Sequence, residues 1–440
     1  MFYLDERNYR EIINNYFHLF YRNSVWYGYA NIRNKLWILS DKEALIVQEY
    51  LNGLSVEDIE LKHSFHSSDI EKFLRELIEG ITPEKYFNQP SIIPDLKAML
   101  LIISEKCNFS CTYCYGQYGQ KEGMMSVSTA LNAVKFAANE GIFNISFFGG
   151  EPLLNMSVIK AVTEYIESEK LSISLALTTN GSLVTEEVAK YFAAHNIRAS
   201  VSMDGTEAEH NKTRISIDGQ STYKEVKRGL DYLRQYGVLS MIEITYSARH
   251  TLNLRKLIDD ASSLCSVISC TCVDGKPDSP HCADIISGDK LINYYRHMLD
   301  VALDTAYADS NITIMGVKEL YDSIGKFELS QPYTICSYIG SRMVVSTNGF
   351  VYPCPEAISP KYCMGNINNV DFDNNFYALR KVVLDTLSSK KLNAEWFSYL
   401  CDTCIQHIDD TGVRFNFYDP KGFGQAIEEV LIRYASENEA

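Results

Sequence analysis

Three cysteines with the power to hold metal stand close together in Cys107-Asn108-Phe109-Ser110-Cys111-Thr112-Tyr113-Cys114. Thiolates at spacings of four and three can each take one corner of a 4Fe–4S cube, which leaves the fourth iron without a protein ligand. A cluster kept only as a staple would want four ligands, so the vacancy points to a bound small molecule. A zinc knuckle is the competing reading, although structural zinc favours paired C-x2-C units. About forty residues on comes Phe147-Phe148-Gly149-Gly150-Glu151-Pro152. Its glycines let backbone approach a ligand closely, and the Glu151 carboxylate can pair with an ammonium group.

These residues need a scaffold, and the apolar pattern supplies one. Segments at Met99–Ser104, Ile145–Phe148, Ile173–Leu177, Ala199–Met203, Met241–Thr245 and Val267–Val273 are separated by helix-sized stretches. Six βα units in a row predict a parallel sheet with helical crossovers. Each motif follows a strand: the cysteines the first, Gly-Gly-Glu the second, Thr178-Thr179-Asn180-Gly181-Ser182 the third. Ser202-Met203-Asp204-Gly205 and then His210-Asn211-Lys212-Thr213-Arg214 follow the fourth.

Together the C-x3-C-x2-C motif, Gly-Gly-Glu-Pro and the strand-end segments resemble the radical S-adenosylmethionine (radical SAM) enzymes. The resemblance implies an open six-strand α/β barrel, a partial (β/α)6 TIM barrel, with its chemistry at the C-terminal strand ends. It implies that Cys107, Cys111 and Cys114 hold a 4Fe–4S cluster whose open iron binds the amino and carboxylate groups of SAM. Electron transfer from that cluster would yield a 5′-deoxyadenosyl radical that abstracts hydrogen from a substrate. Tyr113, Gly149, Gly150, Glu151, Thr179, Asn180, Ser202, Asp204 and Arg214 are the implied SAM-site residues, Ser202 and Arg214 toward its carboxylate and ribose. The family often has aspartate where Asn211 stands, which leaves a local acid–histidine contact open.

A third region, residues 311–440, carries Cys336, Cys354, Cys401 and Cys404. Met343–Tyr352 reads as two strands joined by Asn348-Gly349, a strong hairpin signal. This arrangement resembles the C-terminal SPASM domain of radical SAM enzymes in its shortened Twitch form. No cysteine follows Cys404, so one auxiliary 4Fe–4S cluster is implied. Four-cysteine zinc is the alternative, and Cys363 is near enough to compete as a ligand. Cys270 and Cys272 lie two apart on the sixth strand and share a face. If that face is the barrel interior, either could donate a hydrogen atom to a substrate radical; if it meets the helices, both are packing.

Residues 1–82 read as a separate unit, joined by a linker at 83–95 with Pro83, Pro90 and Pro94 to the barrel at 96–310. Aromatic segments at Tyr16–Tyr21 and Val25–Trp37 suggest strands. Ser40 with Glu43, Ser55 with Asp58 and Ser68 with Glu71 mark the starts of three helices. The third carries an apolar stripe of Ile70, Phe73, Leu74, Leu77 and Ile78. The order looks like a winged helix, and Leu51–Ile59 resembles part of a RiPP recognition element, which clasps the leader of a ribosomally made peptide as an added strand. Lys72 and Arg75 are balanced there by Asp69, Glu71, Glu76 and Glu79, which disfavours a DNA-binding role.

The chain has 440 residues and a formal net charge of −15, which argues against a nucleic-acid partner. It shows no secretory signal and no apolar run near the ~20 residues a membrane span needs. Twelve cysteines without a signal suit metal ligands in a reducing cytoplasm. The leading expectation is a cytoplasmic peptide maturase that forms a carbon–sulfur or carbon–carbon crosslink in a precursor peptide. It would draw electrons from a reductant such as flavodoxin or ferredoxin. Peptide epimerisation, dehydrogenation of a small molecule or sulfatase residue, and a non-catalytic peptide scaffold are the alternatives.

Overall fold

In the computed structural model, β1 (Phe17–Arg22), β2 (Val25–Ala30) and β3 (Lys35–Leu39) form an antiparallel meander. The structure describes residues 10–14, 17–30, 35–77, 95–117, 121–273, 282–304, 309–315, 321–322, 324, 341–388, 408–409, 412–413 and 420–438. The meander lacks clean alternation because it is buried on both faces. Phe17, Ala30 and Leu39, with Trp26 and Trp37, turn toward the helices that follow. Phe20, Tyr27 and Tyr29 turn the other way, into the core of the main body. Gly28 is required where it stands, since a Cβ there would collide with the Phe17 ring.

The helices are α1 (Asp41–Leu51), α2 (Val56–His63) and α3 (Ser67–Leu77). Ser40 with Glu43 and Ser55 with Asp58 each form a complete capping box. Gly53, at φ +103°, follows the Asn52 C-cap of α1. The start of α3 differs from expectation. It begins at Ser67, whose N–H donates to Glu60 Oε1 at 3.2 Å, so a side chain on α2 takes over the task foreseen for Ser68 and Glu71. Ile70, Leu74 and Leu77 are buried, and Ile78 lies outside the described residues.

The barrel strands are β4 (Ala98–Ser104), β5 (Asn144–Gly149), β6 (Ser174–Thr179), β7 (Arg198–Ser202), β8 (Leu239–Tyr246) and β9 (Val267–Cys272). They pair in parallel and in sequence order. Between and after them run α4 (Val127–Asn139), α5 (Met156–Ser168), α6 (Glu186–Ala194), α7 (Glu207–Thr213), α8 (Tyr223–Gln235), α9 (Leu254–Ser262) and α10 (Gly288–Ala302). Met99, Leu101, Ile102 and Ile103 of β4 are all buried, the continuous apolar run expected of a strand covered on both sides. The sheet extends past the six expected strands. β10 (Thr313–Met315) adds in parallel to β9, and β11 (Arg342–Val345) adds in parallel to β4. β12 (Val351–Tyr352) then pairs antiparallel with β11 across Asn348-Gly349, with Gly349 at φ +83°. The hairpin therefore continues the barrel sheet, which runs across the boundary expected at 310.

α11 (Phe372–Ser388) packs Phe372 and Phe376 edge-on against Phe136 of α4, each pair at 5.1 Å. α12 (Pro420–Asn438) lies along α10 and buries Ala426, Ile427, Val430 and Leu431. From α12, Glu428 meets His18 Nε2 at 3.0 Å and Arg22 Nη2 at 2.8 Å on β1, tying the first unit to the last helix. No described helix is long and apolar enough to cross a membrane.

Candidate active site

The cysteine loop leaves β4 and runs antiparallel beside residues 213–217. Ser110 N–H donates to Ile215 C=O at 2.8 Å, Thr112 N–H to Thr213 C=O at 2.9 Å, and Ile217 N–H to Asn108 C=O at 3.2 Å. The Cys107 sulfur accepts from Phe109 N–H at 3.4 Å and from Asn180 Nδ2 at 3.9 Å. Asn180 also donates to Asn108 at 2.9 Å, while Asn108 donates to Ser182 at 2.8 Å, so the segment after β6 grips the loop after β4.

The three thiols share a cavity of about 470 Å³ at the C-terminal strand ends. Tyr113, Gly149, Gly150, Thr179, Asn180, Ser202 and Arg214 line it with them. Burial pushes the Cys107 and Cys111 thiols up to about 12. Such groups stay protonated unless a cation sits against them, which is what iron supplies. Among the described residues no three His, Cys, Asp or Glu side chains converge on a point suited to one metal ion. The thiols instead border a shared space, and the donor set and volume fit a cluster with a further ligand. Cys107, Cys111 and Cys114 are the residues that would hold the cluster.

Two of the expected contact residues stand behind the cavity wall. Glu151 is buried, and its carboxylate accepts from Thr179 Oγ1 at 2.7 Å, Asn180 N–H at 2.8 Å and Leu153 N–H at 3.1 Å. Burial pushes it up to about 7 against the pull of those donors. Glu151 thus braces the end of β6, and it is Gly149 and Gly150 that border the cavity. Gly149, at φ +132°, lies so close to Ser104 C=O that a Cβ would strike it. The approach brings Gly150 N–H to 2.8 Å from that carbonyl.

Asp204 is the second. Its Oδ2 accepts from Tyr113 Oη at 2.5 Å and Thr213 Oγ1 at 2.9 Å, and its Oδ1 from Thr245 N–H at 2.9 Å. Arg214 Nε lies 3.0 Å from Oδ2 but off the hydrogen-bond direction, so the contact is an ion pair and not a directed bond. The guanidinium also sits over the Tyr113 ring, 5.4 Å from its centre. Burial pushes the Asp204 carboxyl up, yet Arg214, together with His210, His250 and the Tyr113 hydroxyl, outweighs it and holds the group below its ordinary range. The pair positions Arg214 at the cavity surface and fixes Tyr113 within the cysteine motif.

His210 supports this hub from below. Its Nδ1 accepts Asp204 N–H at 3.3 Å, and its Nε2 meets Thr222 Oγ1 at 3.1 Å. Thr222 gives its own proton to Arg214 C=O at 2.6 Å, so Nε2 must be the donor and the ring neutral. Burial pushes His210 down to about 4. Asn211 Oδ1 accepts from Thr222 and Tyr223 N–H at 3.0 and 3.2 Å. It holds the first turn of α8, a task its oxygen performs without a charge.

The thiols of β9 separate. β8 and β9 pair Thr245 with Thr271 and Tyr246 with Cys272, so these couples face opposite sides of the sheet. Thr245 and Thr271 border the cavity, whereas Tyr246 stacks on Tyr294 of α10. Cys270 shares the helix-facing side, is 1% exposed and lies outside the cavity lining. Its expected role as a hydrogen-atom donor is corrected to packing, because strand parity turns it away from the lumen. Cys272, where β9 ends, does border the cavity.

Several contributors carry no local signature. Asp284, buried in a short turn, accepts through Oδ1 from Thr112 Oγ1 at 2.7 Å, Ser247 Oγ at 2.8 Å and Arg249 Nε at 2.9 Å. It anchors the cysteine motif from 172 residues away. Glu243, Thr178, Thr245 and Thr271 line the lumen, and Glu356 reaches the cavity from the loop after β12. Alternating polar residues in strands that otherwise look buried are the signal that could have found the first four. Of the expected auxiliary ligands, Cys336, Cys401 and Cys404 lie outside the described residues. Cys354 is half-buried just before Glu356, and the Cys363 thiol donates to Gly365 C=O at 3.5 Å.

Comparison with known proteins agrees with this geometry. Residues 101–261 match the model of the Radical SAM superfamily. The chain is 26% identical over 374 residues to the radical SAM cyclopropyl synthase TigE of Paramaledivibacter caminithermalis, covering 78% of this chain and 75% of that protein. It is 23% identical to a cysteine-type anaerobic sulfatase-maturating enzyme of Clostridium perfringens, covering 74% and 94%. The crystal structure of Streptococcus suis SuiB bound to precursor peptide SuiA superposes with a TM-score of 0.57 at 15% identity, over 92% of this chain and 98% of that one. Residues 101–261 are a radical SAM domain, and the protein is an enzyme that works with a 4Fe–4S cluster and S-adenosylmethionine.

Proposed function

We propose that this enzyme is a maturase of a ribosomally made peptide that forms an intrapeptide carbon–sulfur or carbon–carbon crosslink. The observation that carries the reading is the pairing of a three-cysteine cavity with an N-terminal three-strand, three-helix unit in one fold. The SuiB structure with its precursor peptide shares that fold over 92% of this chain, and TigE is a relative over 78% of it. β3 ends its sheet and has no outer strand partner among the described residues, which suits leader capture by strand addition. Residues 1–82 would serve as the leader-binding domain and 311–440 as the auxiliary-cluster domain. Electrons would come from a flavodoxin or ferredoxin in the cytoplasm.

The bound cluster and SAM supply hydrogen-atom abstraction from the substrate. The protein's own residues orient and exclude. Arg214, held by Asp204, presents its charge to the SAM carboxylate, and Ser202 adds a hydroxyl beside it. Gly149 and Gly150 offer backbone to the SAM amino group. Phe109, Tyr115 and Phe148 shield the cavity from water. An auxiliary cluster on Cys336, Cys354, Cys401 and Cys404 would accept the electron released on crosslinking, a reading supported by Glu356, two residues after Cys354, which borders the cavity. Epimerisation is the second reading, and Cys272 at the cavity edge is the feature that favours it.

Product mass in heavy water separates the two. The full chain, reconstituted anaerobically, is incubated with SAM, reductant and the short peptide encoded nearest its gene. Crosslinking removes two mass units; epimerisation through an exchangeable thiol adds one deuterium. An unchanged peptide alongside active SAM cleavage would overturn the peptide reading.

A further inference from the structure

Electrons must reach the three thiols from outside, and the mouth of their cavity is given over to SAM and peptide in the reading above. A carrier protein therefore has to deliver through the wall. α8 backs the turn after β6, the turn that grips the cysteine loop. The two pack backbone on backbone, since a Cβ on Gly229 would strike Gly181 C=O. The exposed Arg228 donates through Nη2 to Ser182 C=O at 3.3 Å. Ser182 Oγ donates to Asn180 Oδ1 at 2.7 Å, and Asn180 Nδ2 to the Cys107 sulfur at 3.9 Å. A run of hydrogen bonds thus joins the outer surface of α8 to the first thiol of the C-x3-C-x2-C motif.

That surface is cationic in a protein that is not. The chain carries −15, yet α8 sets Lys224, Lys227, Arg228 and Arg234 against Glu225 and Asp231. No other described helix has so positive a balance. Lys227 and Arg234 share Asp231 at 2.6 and 3.6 Å, and Lys224 makes no ion pair among the described residues. Lys224, Lys227 and Arg228 line an open recess of about 440 Å³ with the half-buried Tyr223 and Tyr232. Glu207 and Asp231 are the acids there. Carriers of the flavodoxin or ferredoxin kind are acidic, so their net repulsion from this chain has to be overcome locally. A cationic face that includes tyrosines is where such a partner can settle.

We propose that the outer face of α8, centred on Lys224, Lys227 and Arg228, is the docking surface for an acidic one-electron carrier protein. The carrier gives up one electron to the cluster that Cys107, Cys111 and Cys114 would hold, and no bond forms or breaks. An α-helix is about 10 Å across with its side chains, so one helix and one turn separate a carrier seated on α8 from the cysteine loop. This rests on the flavodoxin or ferredoxin reading above and gives that carrier a place on the fold.

The reconstituted full chain is mixed anaerobically with a reduced recombinant flavodoxin and, separately, with a reduced recombinant ferredoxin. Stopped-flow absorbance gives the bimolecular rate of carrier oxidation, and anisotropy of the dye-labelled carrier gives Kd. Lys224→Glu combined with Lys227→Glu slows the faster carrier and weakens its binding by about tenfold at low salt. Lys224→Gln combined with Lys227→Gln lowers both by about threefold. The differences vanish near ~1 M salt, where charges are screened within a few ångström. Lys135→Glu on α4 combined with Lys381→Glu on α11 changes net charge equally at exposed sites elsewhere and stays within about twofold of the native chain. SAM cleavage driven by dithionite reports whether each variant is folded, and the glutamine pair decides if the glutamate pair is not. Equal losses in the α8 and control variants overturn the docking surface and leave the carrier reading standing. Failure of both carriers to reduce a chain that dithionite reduces overturns the carrier reading, and the docking surface with it.

Discussion

Around the barrel mouth, polar side chains are buried and tied to one another. Asp204 serves Tyr113, Thr213 and the Thr245 amide while pairing with Arg214, and His210 and Thr222 fix the same loop from beneath. In the N-terminal unit the interior is aromatic and aliphatic, and its ion pairs with Glu428 lie at the margin of the interface with α12. Both regions bury two faces of a sheet. One spends that burial on holding charges in place, the other on holding a platform. Damage at the barrel mouth should therefore be severe and specific to the cofactor, whereas damage at the platform should be mild and specific to the peptide.

The largest effect is expected from Asp204→Ala. It leaves Arg214 as a buried cation without its partner, at a cost of about 3–5 kcal/mol. SAM affinity in an equilibrium binding measurement should fall at least a hundredfold, because Arg214 is no longer aimed. Adding Arg214→Leu should recover part of the thermal stability without recovering SAM binding. Additive losses in the double variant would show that the two do not act as a unit.

Next comes His210. Its value in the folded chain, about 4, lies below the ordinary 6.5, so the unfolded chain binds the proton more readily. The associated stability is complete above pH 6.5 and is lost as the pH falls toward 4, up to roughly 3 kcal/mol. Denaturant titrations across that window should show the slope, and His210→Asn should flatten it. An unchanged slope would mean that other groups govern acid unfolding.

Glu428→Ala probes the platform. Its pairs with His18 and Arg22 are partly solvated, so about 1 kcal/mol or less is expected. Limited proteolysis should cut residues 10–77 faster while reductive SAM cleavage persists. Equal loss of SAM cleavage would merge the two regions into one cooperative unit.

Ile38→Lys should have the smallest effect on stability. Ile38 is 44% exposed on β3, and a surface change of this kind stays within about 0.5 kcal/mol. Leader-peptide affinity, read by fluorescence anisotropy, should nonetheless drop if β3 is the docking strand. Full affinity at unchanged stability would move the docking surface off β3.

The sequence alone determined whatever depends on neighbours along the chain. Cysteine spacing, the Gly-Gly turn, two capping boxes, the Asn-Gly hairpin and six apolar strand runs are all local, and each appears where the pattern put it. The meander of β1–β3 was only partly legible, because a strand buried on both faces loses its alternation. Tertiary structure decided the rest. It turned Cys270 toward α10, since one residue of register exchanges lumen for helix layer. It enclosed Glu151 and Asp204 and left Glu243 at the cavity. It brought Asp284 onto Thr112, β11 onto β4 and Glu428 onto β1 across spans of 172 to 410 residues. Such contacts leave no periodic trace, because either partner would be an ordinary surface residue until the chain closed on the other.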